Sequence, residues 1–329
     1  MRYYLINAYY RVDHFTGANI RAEKLASALD ELHDVEIVWV GCEKPVEGSF
    51  KFIPIFCKPR FLMVLEIFMK SWFWKGIVIS DLLPYLGQNL TVKWFQLNHD
   101  LRFKNGYGRY SNFISNIAYK ISYSSCKGII AVSLYAKKEL MRLGIEGKKI
   151  VVSNNGVSKN LRQSTVRNID IVFISVFEER KNHSELVNIL EKNFKDKNVV
   201  FIGHDKGSRD SIVEMVKSSQ NSYKFLESVS EEEKEEILSR CKNYVSPSLY
   251  EGFGMGLLEA LNFGCRVISK DVEFAKLVFE DKIFYYRSEL DLVSLIQKES
   301  INCNVEIEDY YWSNIAKKLV DDTCSYSRK

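Results

Sequence analysis

The chain has 329 residues, 46% hydrophobic and 27% charged, with only five prolines. That length exceeds one ordinary core, so two domains are expected, and the composition excludes a disordered or low-complexity chain. A net charge of +4, with basic residues spread along the sequence, excludes a nucleic-acid-binding profile. Seven cysteines stand at irregular spacing, with no C-x-x-C pair and no cysteine–histidine ligand pattern. They support neither a disulfide framework nor a zinc site and point to a reducing, cytoplasmic compartment. The N-terminal MRYYLINAYY runs straight into a strand pattern without a signal-peptide layout. No apolar run reaches the length of a membrane span.

Short β-rich runs alternate with helical patterns, the signature of parallel sheets covered by helices. In the first half the strands are expected at Tyr3–Ala8, Val35–Val40, Phe52–Phe56, Gly76–Ile79, Val92–Leu97, Gly128–Val132 and Ile150–Ser153. Helical periodicity falls at Ile20–Glu31 and Leu134–Leu143. Phe61–Lys75, FLMVLEIFMKSWFWK, is apolar at all but four positions and follows Lys58 and Arg60. It reads either as a helix buried against the first sheet or as an interfacial helix contacting a membrane peripherally.

The polar stretch Asn154–Asn168 breaks the series and reads as an inter-domain linker. The series restarts with a strand at Ile169–Val176, a helix from Asn182, and strands at Val199–Gly203, Tyr223–Leu226, Tyr244–Val245 and Val267–Ile268. Helices are expected at Glu231–Arg240, Met255–Phe263 and Asp309–Thr323. The expected architecture is α/β: two doubly wound, Rossmann-like domains facing a central cleft, with the last helix returning to the first domain. The boundaries are 1–160, 161–306 and 307–329.

The most informative stretch is Ser246–Asp271, SPSLYEGFGMGLLEALNFGCRVISKD. Glycines 252, 254 and 256 open access to backbone N–H groups, and a helix N-terminus follows them. Glu251 and Glu259 flank the turn eight positions apart. The pattern suits a ligand with both phosphates and diols.

This stretch resembles the E-x7-E signature of retaining GT-B glycosyltransferases, family four. His99-Asp100, Ala131–Ser133, Asn154–Val157 and Glu179–His183 follow the same family pattern. The resemblance implies a hexose donor that is a nucleotide diphosphate sugar, with UDP the leaning on base rates. The acceptor would be a glycan or lipid-linked glycan of bacterial surface polysaccharide or glycoconjugate assembly. It assigns the ribose hydroxyls to Glu259 and the transferred sugar to Glu251. The amides of Gly252, Phe253, Gly254 and Met255 would meet donor oxygens, and Gly17 would lie where the backbone passes close to the donor.

Negative charge grows on the departing diphosphate and needs cationic support. No D-x-D motif is present, so no metal or other cofactor is expected, and Lys181 with Arg180 would supply the charge. His99 would lie beside the donor sugar, and Asp100 would either orient the acceptor or cap the next segment. The acceptor hydroxyl would attack from the face that the diphosphate leaves, passing its proton to a leaving phosphate oxygen.

The sequence departs from the family at three places: Val176 stands where an arginine is usual, Gly256 where proline is common, and Ala18 where a second glycine often sits. Two other readings stay open, a nucleotide-sugar epimerase on the same fold and a non-catalytic partner subunit that keeps the donor pocket. Val176 favours the latter.

Overall fold

The structure is a computed structural model describing residues 1–7, 10, 17–45, 48, 50–56, 60–81, 92–99, 117, 120–160, 166–298 and 305–326. The chain divides into two units, Met1–Gly156 with Asp309–Lys329, and Val157–Glu308.

The first unit is built on seven parallel strands: β1 (Arg2–Ile6), β2 (Glu36–Gly41), β3 (Lys51–Pro54), β4 (Gly76–Ser80), β5 (Val92–Asn98), β6 (Gly128–Ala131) and β7 (Ile150–Val152). Their order is β3-β2-β1-β4-β5-β6-β7, so the winding reverses between β1 and β4. Strands such as EIVWVG are buried along nearly their whole length, as expected of a parallel sheet with both faces covered.

Helix α1 (Gly17–Asp30) carries Arg21, whose guanidinium is fully buried. It donates to Asn154 O at 2.8 Å, Asn155 Oδ1 at 2.6 Å and Ser153 O at 3.0 Å. The beginning of the expected linker is therefore fastened to the first unit. A charged donor held by three acceptors makes that stretch costly to release. Residues 161–165 of the linker lie outside the described residues. The C-terminal helix Trp312–Ser325 packs on α1, and Thr323 shares a 2.7 Å hydrogen bond with Tyr3 of β1.

Helix α2 (Arg60–Ser71) covers the core with one side only. Met63, Val64, Ile67 and the following Trp74 are buried, while Leu62, Leu65 and Met69 face solvent with Trp72 and Phe73. One side is core and the other is not, because apolar residues run round more of the helix than one sheet can cover.

The second unit has six parallel strands: β8 (Ile169–Ile174), β9 (Asn198–Ile202), β10 (Ser222–Leu226), β11 (Cys241–Ser246), β12 (Arg266–Lys270) and β13 (Phe284–Tyr286). Their order is β10-β9-β8-β11-β12-β13, reversing between β8 and β11. Helices His183–Asn193, Glu231–Ser239 and Met255–Asn262 carry the residues of interest. The sequence pattern does not show three further helices, Arg209–Met215, Glu273–Phe279 and Glu289–Gln297, or the three-residue strand β13 between the last two. Periods of seven to nine residues beside a three-residue strand are too short to stand out by pattern. His183 is buried, stacked on Phe177 at 4.5 Å and tilted against Phe173 at 4.8 Å, with neither ring nitrogen hydrogen-bonded.

Candidate donor site

Doubly wound sheets bind ligands beyond the carboxyl ends of the strands where the winding reverses. In the second unit that point lies between β8 and β11, and the two loops that leave it carry Lys181 and Glu251. Lys181 Nζ lies 2.6 Å from Glu251 Oε1, and Ser248 Oγ donates to the same oxygen at 3.1 Å. Burial pushes the Glu251 carboxyl up, but Lys181, Arg180 and Ser248 together outweigh it and hold the group below its ordinary value. It stays an acceptor.

Arg180 ties the same two loops together. Its carbonyl accepts from the Leu249 N–H at 2.9 Å, and its Nη1 donates to Tyr250 O at 2.8 Å. Nε donates to Glu178 at 2.9 Å, while Nη2 is buried without a hydrogen-bond partner. Both N–H groups of Nη2 are thus without an acceptor in the protein.

The glycine turn has firm steric reasons. Gly254 adopts φ 97°, in the left-handed region, and caps the Met255–Asn262 helix. Phe253 is buried in a T-shaped contact with Phe279, ring centroids 5.7 Å apart, so its ring belongs to the core. Gly256 is the second residue of the helix, and a Cβ there would meet the Tyr244 hydroxyl at 2.0 Å. The departure from proline is therefore required by a close approach. The Leu257 and Leu258 N–H groups donate to the Gly254 carbonyl at 3.1 and 3.4 Å, so the first-turn amides left without an intrahelical acceptor are those of Met255 and Gly256.

Glu259 lies one turn further along and is largely buried. Lys234 Nζ, from the Glu231–Ser239 helix, sits 3.0 Å from its Oε1 and 2.9 Å from Glu231. Burial raises the Glu259 carboxyl, and the Lys234 charge only partly offsets it. Lys234 itself is raised: burial works against its charge, and Glu259 with Glu231 prevails.

In the first unit, Gly17 opens α1. His99 follows β5 and lines a cavity with Asn7, Arg21 and Asp81 at the carboxyl ends of β1, β4 and β5, beside that sheet's own reversal point. Asp100 lies outside the described residues.

Residues 158–287 match the family described as Glycosyl transferases group 1. The serotype-specific mannosyltransferase WbdA of Escherichia coli is 26% identical over 124 residues, which is 36% of this chain and 15% of that relative. The match thus spans about one-seventh of that relative's length. Anabaena HepE, solved with UDP-glucose, superposes over 99% of this chain and 100% of its own with a TM-score of 0.76 at 14% identity. The lipopolysaccharide outer core galactosyltransferase WaaB covers 99% of each chain with a TM-score of 0.72 at 17% identity. The fold is GT-B.

Within this GT-B frame the second unit carries the group 1 match. Two polar residues of the candidate site, Ser248 and Lys234, are not singled out by the sequence pattern. Ser248 offers no signal beyond its place at a strand end. Lys234 has one: it shares a helix face with Ile237 and Leu238, at i+3 and i+4, and all three are buried. Among the described residues no helix is long and apolar enough to cross a membrane, and no group of three His, Cys, Asp or Glu could hold a metal ion.

Proposed function

We propose that the chain is a retaining glycosyltransferase that moves a hexose from a nucleotide diphosphate sugar, UDP-linked, to a glycan or lipid-linked glycan. The reading places it in assembly of bacterial surface polysaccharide or glycoconjugate, at the cytoplasmic side. The observation that carries it is the buried Lys181–Glu251 pair at the reversal point of the second sheet, with Glu259 eight residues on. The group 1 match and the UDP-glucose complex of HepE support it.

In this reading Glu259 accepts from the ribose hydroxyls, held from behind by Lys234. Glu251 accepts from the hexose hydroxyls. Lys181, the free Nη2 of Arg180 and the amides from Gly252 to Met255 receive the diphosphate. The bond from the anomeric carbon to the diphosphate breaks as the acceptor oxygen bonds on the same face. The acceptor proton passes to the departing phosphate oxygen, so no side-chain base is required. The roles that the family resemblance implies for His99, beside the donor sugar, for Gly17, along the donor, and for Asp100, toward the acceptor, belong to the same reading.

Lys181, Arg180 and Lys234 each already face a carboxylate: Glu251, Glu178 and Glu259. The site is close to neutral before the donor arrives, so the helix amides carry much of the diphosphate charge. That balance, with Val176 in place of an arginine, favours one second reading, a donor-binding subunit without turnover.

Thermal shift with UDP-, GDP- and ADP-sugars, followed by product analysis with the preferred donor, tests both readings. Stabilisation by a UDP-sugar with transfer or slow donor hydrolysis is expected. Stabilisation without turnover selects the binding subunit, and no stabilisation by any nucleotide sugar rejects both.

A further inference from the structure

The segment from Arg60 to Lys75 has two apolar faces, and the fold uses one. The inward face packs Met63, Val64 and Ile67, and Trp74 stacks on Tyr4 with ring centroids 4.4 Å apart. Leu62, Leu65, Met69, Trp72 and Phe73, at spacings of three, four, three and one, form a stripe in solvent joined by Phe56. Phe73 is 86% exposed, Phe56 76% and Trp72 61%. Contiguous apolar area of this kind marks an interaction site rather than ordinary surface.

The charge on this face has one sign. Glu66 is the only carboxylate between residues 60 and 75. It is turned inward and buried, accepting from the Phe56 N–H at 3.0 Å and from Lys70 at 2.5 Å. Lys70 also lies over the Phe56 ring, 5.1 Å from its centroid. Among the described residues of this segment the solvent side therefore carries no carboxylate; Lys70 is paired with Glu66, and Lys75 stands exposed at the end.

We propose that this face docks on an anionic phospholipid bilayer, with α2 lying in the plane of the headgroups. Exposed aromatic rings beside lysines suit that boundary, where rings insert and ammonium groups meet lipid phosphates. Phe56 and Phe73 protrude; a fluid acyl surface closes round such rings, whereas a protein partner must supply matched cavities. The inward face is satisfied by the core, so docking needs no unfolding. The proposal does not depend on the donor-site reading, and either can fail alone.

The test is flotation of the full chain with vesicles of phosphatidylcholine alone and with about 30% phosphatidylglycerol, at about 50 mM and 300 mM salt. The wild type floats with the anionic vesicles and several-fold less at the higher salt. Trp72→Ser with Phe73→Ser lowers binding about tenfold or more, and Lys75→Glu about threefold, with thermal unfolding unchanged because all three side chains are exposed. Failure to float with anionic vesicles overturns the proposal, as does equal flotation of the Trp72→Ser/Phe73→Ser variant. Sedimentation velocity separates the rival occupant. A wild-type dimer that the same variant dissolves, without vesicle binding, assigns the face to self-association instead.

Discussion

The Tyr244 hydroxyl occupies the space that a Cβ at residue 256 would fill, 2.0 Å from its ideal position. That hydroxyl accepts from the Ile174 N–H at 3.3 Å and donates to the Ile174 carbonyl at 3.2 Å, joining β11 to the end of β8. Gly256→Ala is expected to cost about 1–3 kcal/mol, the range for overpacking a filled site. Tyr244→Phe should cost about 1 kcal/mol through the lost hydrogen bonds. The double variant should cost less than the sum, because removing the hydroxyl removes part of the clash. Urea unfolding of the four proteins measures this, and strict additivity would remove the steric account.

Lys181 and Glu251 are a largely buried pair, so removing one partner strands the other. Lys181→Met is expected to destabilise by about 3–5 kcal/mol, and Lys181→Met with Glu251→Gln by clearly less. Transfer should fall about a hundredfold or more in Glu251→Ala and in Lys181→Ala, assayed where circular dichroism still reports folded protein. Wild-type turnover in either would end the site assignment. The pH dependence has a definite sign. The folded Glu251 carboxyl lies below its unfolded value, so its contribution is present above the unfolded value and is lost as pH falls through the folded one. Lys181→Met should lose that acid dependence.

In the proposed function Lys234 acts on the donor through Glu259, its ion-pair partner at 3.0 Å. Lys234→Met should weaken UDP binding about tenfold in calorimetry and raise KM far more than it lowers kcat. Lys234→Arg should restore most of the affinity. The folded Glu259 carboxyl is raised by burial, and loss of the lysine raises it further. The affinity deficit should therefore grow as pH falls toward the carboxylate range. An unchanged UDP affinity in Lys234→Met would leave the lysine a purely structural role.

His183 gives a second pH signature. Burial, with repulsion from Lys181, lowers its imidazole to about 3. The unfolded value is about 6.5, so the neutral ring stabilises fully above that pH, and the contribution is lost as pH falls from there toward 3. Between pH 7 and pH 5 the loss is about 2 kcal/mol. His183→Phe, which keeps the stacking on Phe177, should flatten this part of the curve in urea unfolding at the two pH values.

Much of the fold was legible because buried parallel strands are short, apolar and bounded by polar turns. β1, β2, β4, β5 and β8 all meet that description. The glutamates and glycines of the candidate site stand out in the sequence because their spacing is local. What escaped is tertiary. Lys234 sits in the run EEEKEE, which reads as a solvated face until a buried carboxylate 25 residues away turns it inward. The reason for Gly256 lies in Tyr244, twelve residues upstream on the preceding strand. For Phe61–Lys75, periodicity measures how apolar a helix is and not how much of it the neighbouring sheet can cover.

The bond between Tyr3 and Thr323 joins residues 320 positions apart. The first unit thus draws on both ends of the sequence, with the whole of the second unit, Val157–Glu308, intervening. On the ribosome the second unit has every residue it needs before the first does. Until residue 325 has been made, α1 lacks its covering helix and the apolar face carrying Ile315 and Leu319 has no counterpart. Order of synthesis and order of folding are therefore opposed: the part begun first is the part finished last. Shortening the chain from position 312 should spare the second unit and unravel the first.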